Sequence, residues 1–302
     1  MKVKAMEAKT SKINIVLQEE KNVLYQRENE VSHPLLEQID KAFADLINMN
    51  EIKGTLKEIC AMLWINQQRE NFGLLSSKQV LHMLFTGNPG TGKTTVARKL
   101  AKIYYEWNFL SKGQFIEVER ADLVGEYIGQ TAQKTRALIQ KAQGGILFID
   151  EAYSLSRGGE KDFGKEAIDT LVTHMENNYT DFVLILAGYP NEMENFLNLN
   201  PGLQSRFPFI IDFPDFSGKE LLEVAKKMVM AREFSLTKEA EWHLQKHFHE
   251  KTSTSTRHFA NARYVRNTIE HAIRKQAVRL MKKQPLTAED LIFLSKEDFS
   301  FL

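Results

Sequence analysis

Apolar positions along this chain follow two alternating rhythms, and the alternation predicts its architecture. Runs of strand length occupy residues 81–85, 114–119, 146–149, 182–187 and 209–213. Helical segments separate them: in 95–107, Val96, Leu100, Ile103 and Tyr104 share one face, and a helix is predicted from Thr131 to Ala142. Buried strands alternating with helices predict a parallel sheet wrapped by helices. Ahead of the first strand, Leu36, Ile39, Phe43, Leu46 and Ile47 predict one helix face from Pro34 onward. Ile52, Leu56, Ile59, Cys60, Leu63 and Trp64 predict a second. Pro208, Pro214 and Ser217 punctuate the chain after the last strand, and beyond them every strong pattern is helical, over 219–232, 238–249 and 259–282. Residues 1–32 mix charges and glutamines around Ile13, Ile15, Val16 and Leu17, and no fold is assigned to them.

The segment Gly87-Asn88-Pro89-Gly90-Thr91-Gly92-Lys93-Thr94 fits the pattern G-x-x-x-x-G-K-[ST], between a predicted strand and a predicted helix as such a loop requires. Its glycines let backbone N–H groups approach a phosphate, and the following helix adds its N-terminal dipole. Lys93 supplies an ammonium for the β and γ oxygens, and Thr94 a hydroxyl for Mg²⁺. A chance glycine turn would not bring Lys-Thr and both flanking elements with it. ATP and Mg²⁺ are the expected cofactors, held by these residues together with Thr95.

Hydrolysis also requires acids at the end of a neighbouring buried strand, one for the metal's water shell and one for the attacking water. The run Ile146 to Ile149 ends in Asp150 and Glu151. Asp150 is expected to hold Mg²⁺ through water and Glu151 to polarise the lytic water. Alone, the pair would more simply open a helix, where acids suit the dipole; beside the glycine loop the catalytic reading prevails. The expected reaction is ATP plus water to ADP plus phosphate, coupled to conformational work. The chain then divides into a segment of uncertain fold (1–32), an α/β nucleotide-binding domain with N-terminal helices (33–216) and a helical lid (217–302).

Bulk properties remove some classes. With 43% hydrophobic and 26% charged residues in 302, the composition is that of an ordinary soluble protein. The net charge of +1 provides no global field for nucleic acid or anionic membrane. Cys60 has no second cysteine to pair with, which points to a reducing compartment and a core role. No apolar run approaches the roughly 18 residues of a membrane span, and residues 1–5 do not lead into a signal core, so a cytoplasmic protein is expected.

The glycine and acidic motifs, followed by a helical domain, resemble the AAA+ ATPases and, within them, the CbxX/CfqX family. The resemblance is carried by Phe85 to Thr95, Asp122 to Ala132, Gly144 to Tyr153 and Asn200 to Phe207, and spans about residues 50 to 280. Residues 117–122 and 158–167 are most similar to a member that acts in endospore formation, which implies a role in late spore development. The family likeness implies a ring, a hexamer, that remodels a protein client without membrane or nucleic acid. It implies that Arg206 is an arginine finger for the neighbouring subunit's ATP, although an arginine pairing locally at a strand end fits the residues as well. It implies that Asn261-Ala262-Arg263 is the sensor-2 segment with Arg263 at the γ-phosphate, Arg266 being the other candidate. Tyr127-Ile128-Gly129 resembles the aromatic loop lining the central pore; the other reading packs Tyr127 into the core. A charged loop at residues 157–164 is a second pore candidate. Where many relatives carry a polar sensor, this chain has Ala187-Gly188-Tyr189-Pro190, leaving Tyr189 or Asn191 for that task. The rival reading rests on Arg257, Arg263, Arg266, Arg274, Lys275, Arg279, Lys282 and Lys283, a strip that could bind phosphate backbones and make the chain a nucleic-acid motor or clamp-loader-like switch. Val265, Ile269, Ala272 and Ile273 give the same helix a buried face, which favours a solvated strip plus a nucleotide sensor.

Overall fold

A computed structural model describes residues 33–302, apart from residues 128, 158–161, 178–180, 255–258 and 302. Ile128, part of the charged loop at 157–164, and Arg257 therefore lie outside the described residues. Residues 34–302 pack as one unit.

The unit opens with α1 (Pro34–Ala42) and α2 (Asn50–Asn71), and an alternation of strands and helices follows. In order these are β1 (Met83–Gly87), α3 (Lys93–Glu106), β2 (Phe115–Val118), α4 (Arg120–Leu123), α5 (Gln130–Ala142), β3 (Ile146–Ile149), α6 (Gly164–Asn177), β4 (Val183–Gly188), α7 (Pro190–Leu199), α8 (Pro201–Gln204) and β5 (Phe209–Phe213). The strands form one sheet in the order β2-β3-β4-β1-β5. Every neighbouring pair is parallel; Met83, for example, stands opposite Ile185 on one side and Phe209 on the other.

The sequence explains why β1, β3 and β4 are central: apart from Thr86 near the end of β1 they carry no polar side chain, and every position is buried, so both faces need cover. Successive side chains alternate between two cores. Met83, Phe85, Ile146, Phe148, Val183 and Ile185 face α1, α2 and α3, meeting Ile39, Leu56, Leu100 and Tyr104. Leu84, Leu147, Ile149, Leu184 and Leu186 face the other way, toward Ile139, Ile168, Leu171 and Phe196. Cys60 lies in the first core, where burial pushes its thiol up to about 12, well away from nucleophilic use.

The helical part comprises α9 (Gly218–Met230), β6 (Ser235–Leu236), α10 (Lys238–Thr254), α11 (Asn261–Leu280), α12 (Ala288–Ile292) and β7 (Phe293–Leu294). Ser217 opens α9 with a capping box: its backbone N–H donates to Glu220 Oε2 at 2.7 Å, and its hydroxyl accepts from Glu220 N–H. Leu221, Ala225, Leu244, Phe248, Val265 and Ile269 fill a third core. Two expectations change here. The region is not wholly helical, because β6 and β7 pair in parallel over two residues each, too short to show a period. The helix expected through Ile47 stops at Ala42, because Lys99 of α3 takes over its end, donating to the Ala42 carbonyl at 2.7 Å and to Asp45 at 2.9 Å.

Candidate active site

The carboxyl ends of β1, β3 and β4 meet a cavity of about 660 Å³, within the range that encloses a cofactor-sized ligand. The loop after β1 forms its floor. Gly92 holds φ +103 just before α3, a left-handed turn that lets the helix start at Lys93, earlier than periodicity suggested. Gly90, at φ +73, sits so close to the chain above that an added Cβ would fall 2.5 Å from the Ala260 carbonyl oxygen. Pro89, Gly90, Thr91, Gly92, Lys93, Thr94 and Thr95 all line the cavity. Gly87 and Asn88 do not: Gly87 ends the strand, and the Asn88 amide turns to Asp215.

Lys93 is buried, and its ammonium donates to the carbonyls of Gly87 at 2.6 Å and Asn88 at 2.9 Å, inside its own loop. Burial pulls its pKa down to about 8; the Asp150 carboxylate opposes this, the Arg263 charge adds to it, and Asp215 and Glu151 oppose it. The cavity thus holds a cation that burial disfavours, facing the place where phosphate charge would satisfy it.

Asp150 and Glu151 stand at the end of β3, on the cavity wall. Glu151 N–H donates to Asp150 Oδ1 at 2.9 Å, and Glu151 adopts φ +45, left-handed for a residue with a side chain. Such a backbone carries strain of about 1–3 kcal/mol, and it turns the carboxylate out of the strand line. A 3₁₀ turn, Ala152–Ser156, follows, so the pair does open a short helical turn as well. Tyr153 in that turn is buried, with Tyr189 tilted against it at 5.5 Å between ring centroids and the Arg157 guanidinium over its ring at 4.7 Å. Burial and then the Glu151 charge push the Tyr153 hydroxyl above its ordinary range, and the same two causes act in the same order on Tyr189. Tyr189 lines the cavity; Asn191, exposed on α7, does not.

The opposite wall comes from two places, one of which, the turn between α1 and α2 with α9, periodicity read only as helix faces. Asp45, Leu46, Ile47 and Met49, in the turn between α1 and α2, meet Val224 and Met228 of α9 to make a largely apolar slot suited to a flat base. Ala262, Arg263 and Arg266 of α11 close the charged end. Both arginines expected as alternative sensors therefore reach the cavity. The lid is tied across it at both ends: Lys227 Nζ donates to the Asp45 carbonyl at 2.9 Å, and Ala262 N–H to the Gly90 carbonyl at 3.2 Å.

The remaining expected site residues lie elsewhere. Arg206, just beyond α8, pairs with Glu176 of α6 and does not line the cavity, so the local ion pair is present in this chain. Glu151 and Arg263 also face a second cleft of about 710 Å³, shared with Glu119, Arg120, Glu126 and Lys134. Tyr127, in the turn between α4 and α5, is 67% exposed, and Gly129 caps α5 with φ +81; neither touches the cavity. Two members of the basic strip are paired: Arg279 of α11 grips buried Asp298 through two 2.8 Å bonds, and Lys283, just beyond the helix, meets Asp290 at 2.6 Å, while Arg274, Lys275 and Lys282 are exposed.

Residues 83–215 match the ATPase family associated with various cellular activities (AAA), and residues 217–302 match the AAA lid domain. The chain is 56% identical to stage V sporulation protein K of Bacillus subtilis (strain 168) over 300 residues, 95% of this chain and 93% of the relative. It is 44% identical to protein CbbX of Cereibacter sphaeroides over 267 residues, 87% of this chain and 85% of that one. The chloroplastic ribulose bisphosphate carboxylase/oxygenase activase of Cyanidioschyzon merolae (strain NIES-3377 / 10D) is likewise 44% identical over 265 residues, covering 87% and 90%. Similarity this high, running through both sheet and lid, means common descent: the chain belongs to the AAA ATPases, in the CbxX/CfqX family.

Proposed function

We propose that this ATPase works as a ring, a hexamer, that remodels a protein client by drawing it past Tyr127, and that it serves sporulation in the cytoplasm. The observation that carries the reading is Tyr127 itself: a large aromatic ring held 67% exposed on a short turn, away from every core and from the nucleotide cavity. An aromatic grips varied chain over a large area at little cost in side-chain entropy, and an exposed one has no packing duty to explain it. The similarity to a protein named for stage V of sporulation supports the cellular role. No helix among the described residues is long and apolar enough to cross a membrane. Of the basic strip, Arg263 and Arg266 belong to the nucleotide cavity and Arg279 and Lys283 to ion pairs, which weakens the nucleic-acid reading.

Within the cavity the chain's own groups divide the work. The loop N–H groups and Lys93 hold the β and γ phosphates, and Thr94 and Asp150 present oxygen ligands for Mg²⁺. Among the described residues no cluster of three or more histidine, cysteine or carboxylate side chains could hold a metal alone. Mg²⁺ would therefore complete its shell with phosphate oxygens and water, and when bound it neutralises charge on the transferred phosphoryl group. Glu151 accepts the proton of the attacking water, and Arg263 reads the γ-phosphate. The second cleft is where Arg206 of a neighbouring copy enters to complete the site, having exchanged Glu176 for phosphate. The two parts, 33–216 and 217–302, move against each other as nucleotide changes.

The test is ATPase rate and client remodelling on the same proteins, with clients trapped by Glu151→Gln. Tyr127→Ala should keep basal ATPase within about twofold and lose remodelling, and Tyr127→Phe should keep both. Should Tyr127→Ala stop hydrolysis as fully as Glu151→Gln, the pore reading is wrong.

A further inference from the structure

Helix α11 begins on a residue that joins three parts of the chain. Asn261 is 0% exposed and holds φ +42, a left-handed conformation that asparagine adopts more readily than most residues with a side chain. Its Oδ1 accepts the Phe216 N–H at 2.8 Å. Its Nδ2 donates to the Asp215 carboxylate at 2.7 Å and to the Phe259 carbonyl at 2.9 Å, and reaches the Pro89 carbonyl at 3.4 Å. These partners fix the amide's orientation, since only the nitrogen can serve carboxylate and carbonyl oxygens. The same Asp215 carboxylate receives Asn88 Nδ2 at 3.0 and 2.8 Å. One acid, in the connection between sheet and lid, therefore binds the phosphate loop with one set of lone pairs and the lid with another.

The join leaves no slack. Ala262 N–H, a first-turn donor with no acceptor in its own helix, is satisfied by the Gly90 carbonyl at 3.2 Å. A Cβ on Gly90 would fall 2.7 Å from the Arg263 nitrogen, so loop and helix start are in contact along this edge. Arg263 is the second residue after Asn261, and any rotation of the helix start carries it along the cavity wall.

We propose that Asp215 is a positioning residue: by bridging Asn88 and Asn261 it sets the start of α11 against the phosphate loop and aims Arg263, so that the preference for ATP over ADP depends on this carboxylate. The proposal rests on the reading of Arg263 as the γ-phosphate sensor. Amide-to-carboxylate hydrogen bonds are charge-assisted and stronger than neutral ones, which suits a joint that must hold an angle. Asp215 itself is exposed, so truncating it buries no new unpaired group at that position. Asn261 keeps its bonds to Phe216 and Phe259, and the fold survives while the angle loosens. Asp215 also acts on Lys93 by its charge. That effect does not pass through Arg263, so it persists in the Arg263→Ala background, where the double variant reads it apart from the joint.

The experiment measures dissociation constants for ATPγS and ADP, by competition with a fluorescent nucleotide, on the full chain and on Arg263→Ala, Asp215→Ala, Asp215→Asn and the Asp215→Ala/Arg263→Ala pair, with the thermal midpoint recorded for each. Asp215→Ala should lower the ATPγS-to-ADP preference roughly fivefold, the worth of about one hydrogen bond. Asp215→Asn, which keeps one acceptor oxygen, should recover most of it. The double variant should be no less selective than Arg263→Ala alone, because the two act as one unit. An unchanged preference in Arg263→Ala would remove the sensor reading on which the proposal stands. A lowered preference in Arg263→Ala with none in Asp215→Ala would overturn the joint alone. Equal weakening of both nucleotides by Asp215→Ala, or fully additive effects in the double variant, would reduce Asp215 to a prop for the loop and overturn it too.

Discussion

Raising the pH should weaken nucleotide binding through one identifiable group, the Lys93 ammonium. In the free protein burial holds its pKa near about 8, against an ordinary 10.5. Phosphate oxygens within reach favour the charged form, returning the bound lysine to its ordinary range or above. Binding above pH 8 must therefore take up a proton, and affinity falls as that proton becomes scarce. At pH 7 the free lysine is about nine-tenths charged and loses little. At pH 9 it is about one-eleventh charged, which weakens binding about tenfold, or about 1.4 kcal/mol. Folding has the opposite sign: the unfolded chain keeps its proton up to about 10.5, so this group makes the empty fold more stable as pH rises from 8. Loss of binding in that window is then not unfolding. The assay is the dissociation constant of a fluorescent ADP analogue from pH 7 to 9.5 at fixed ionic strength, beside Lys93→Arg, whose guanidinium does not titrate there. Wild type should show a slope approaching tenfold per pH unit above pH 8, and Lys93→Arg, weaker throughout, none. A flat wild-type profile, or an equal slope in Lys93→Arg, would refute the account.

Three further outcomes are expected. Lys93→Ala should lose nucleotide affinity, whereas Glu151→Gln should bind ATP normally and lose turnover by at least about a hundredfold; near wild-type hydrolysis by Glu151→Gln would dismiss it as the water's base. Arg206→Ala should bind nucleotide yet depress ATPase more than in proportion to its share of a mixed assembly, and wild-type activity should rise with protein concentration; a fully active monomer at nanomolar dilution would exclude the shared site. His82, buried with Leu184 N–H donating to its Nδ1 at 3.0 Å, has its pKa pulled down by burial to about 4. The folded state thus binds fewer protons than the unfolded one between about 6.5 and 4. Its contribution is intact above that window and declines as pH falls, by about 2 kcal/mol at pH 5; urea unfolding at pH 7 and 5 should show this loss, and His82→Asn should flatten it.

Which parts were legible in the sequence follows from the range of each interaction. The sheet could be read because Met83 to Phe85, Ile146 to Ile149 and Val183 to Ala187 are apolar without break, the local signature of strands covered on both faces. The phosphate loop and acidic pair could be read because each lies in one contiguous string with a defined flank. The base side of the cavity could not. Leu46 and Ile47 have helical spacing, but Lys99, far along the chain, captures the end of α1 and turns them into a cavity wall. Val224, Lys227 and Met228 look like any amphipathic helix until the lid folds over. Asp215 and its link to Asn261 left no trace, since a polar pair 46 residues apart has no period to betray it. Arg206 was read from family likeness, and its partner Glu176 from nothing in the sequence.

The contact of Ala262 with Gly90 has an electrostatic corollary. Two helices, α3 starting at Lys93 and α11 starting at Asn261, direct their N-termini at the same turn of backbone. Each such end carries roughly half a positive charge, effective only within its first turn. An anion lying over Gly90 to Gly92 is then attracted from two directions, one fixed to the sheet and one carried by the lid. Were the lid to swing away, one of the two would leave with it, and the grip on phosphate would slacken whatever the side chains did. Opening the lid and letting go of the product would then be, to that extent, one motion.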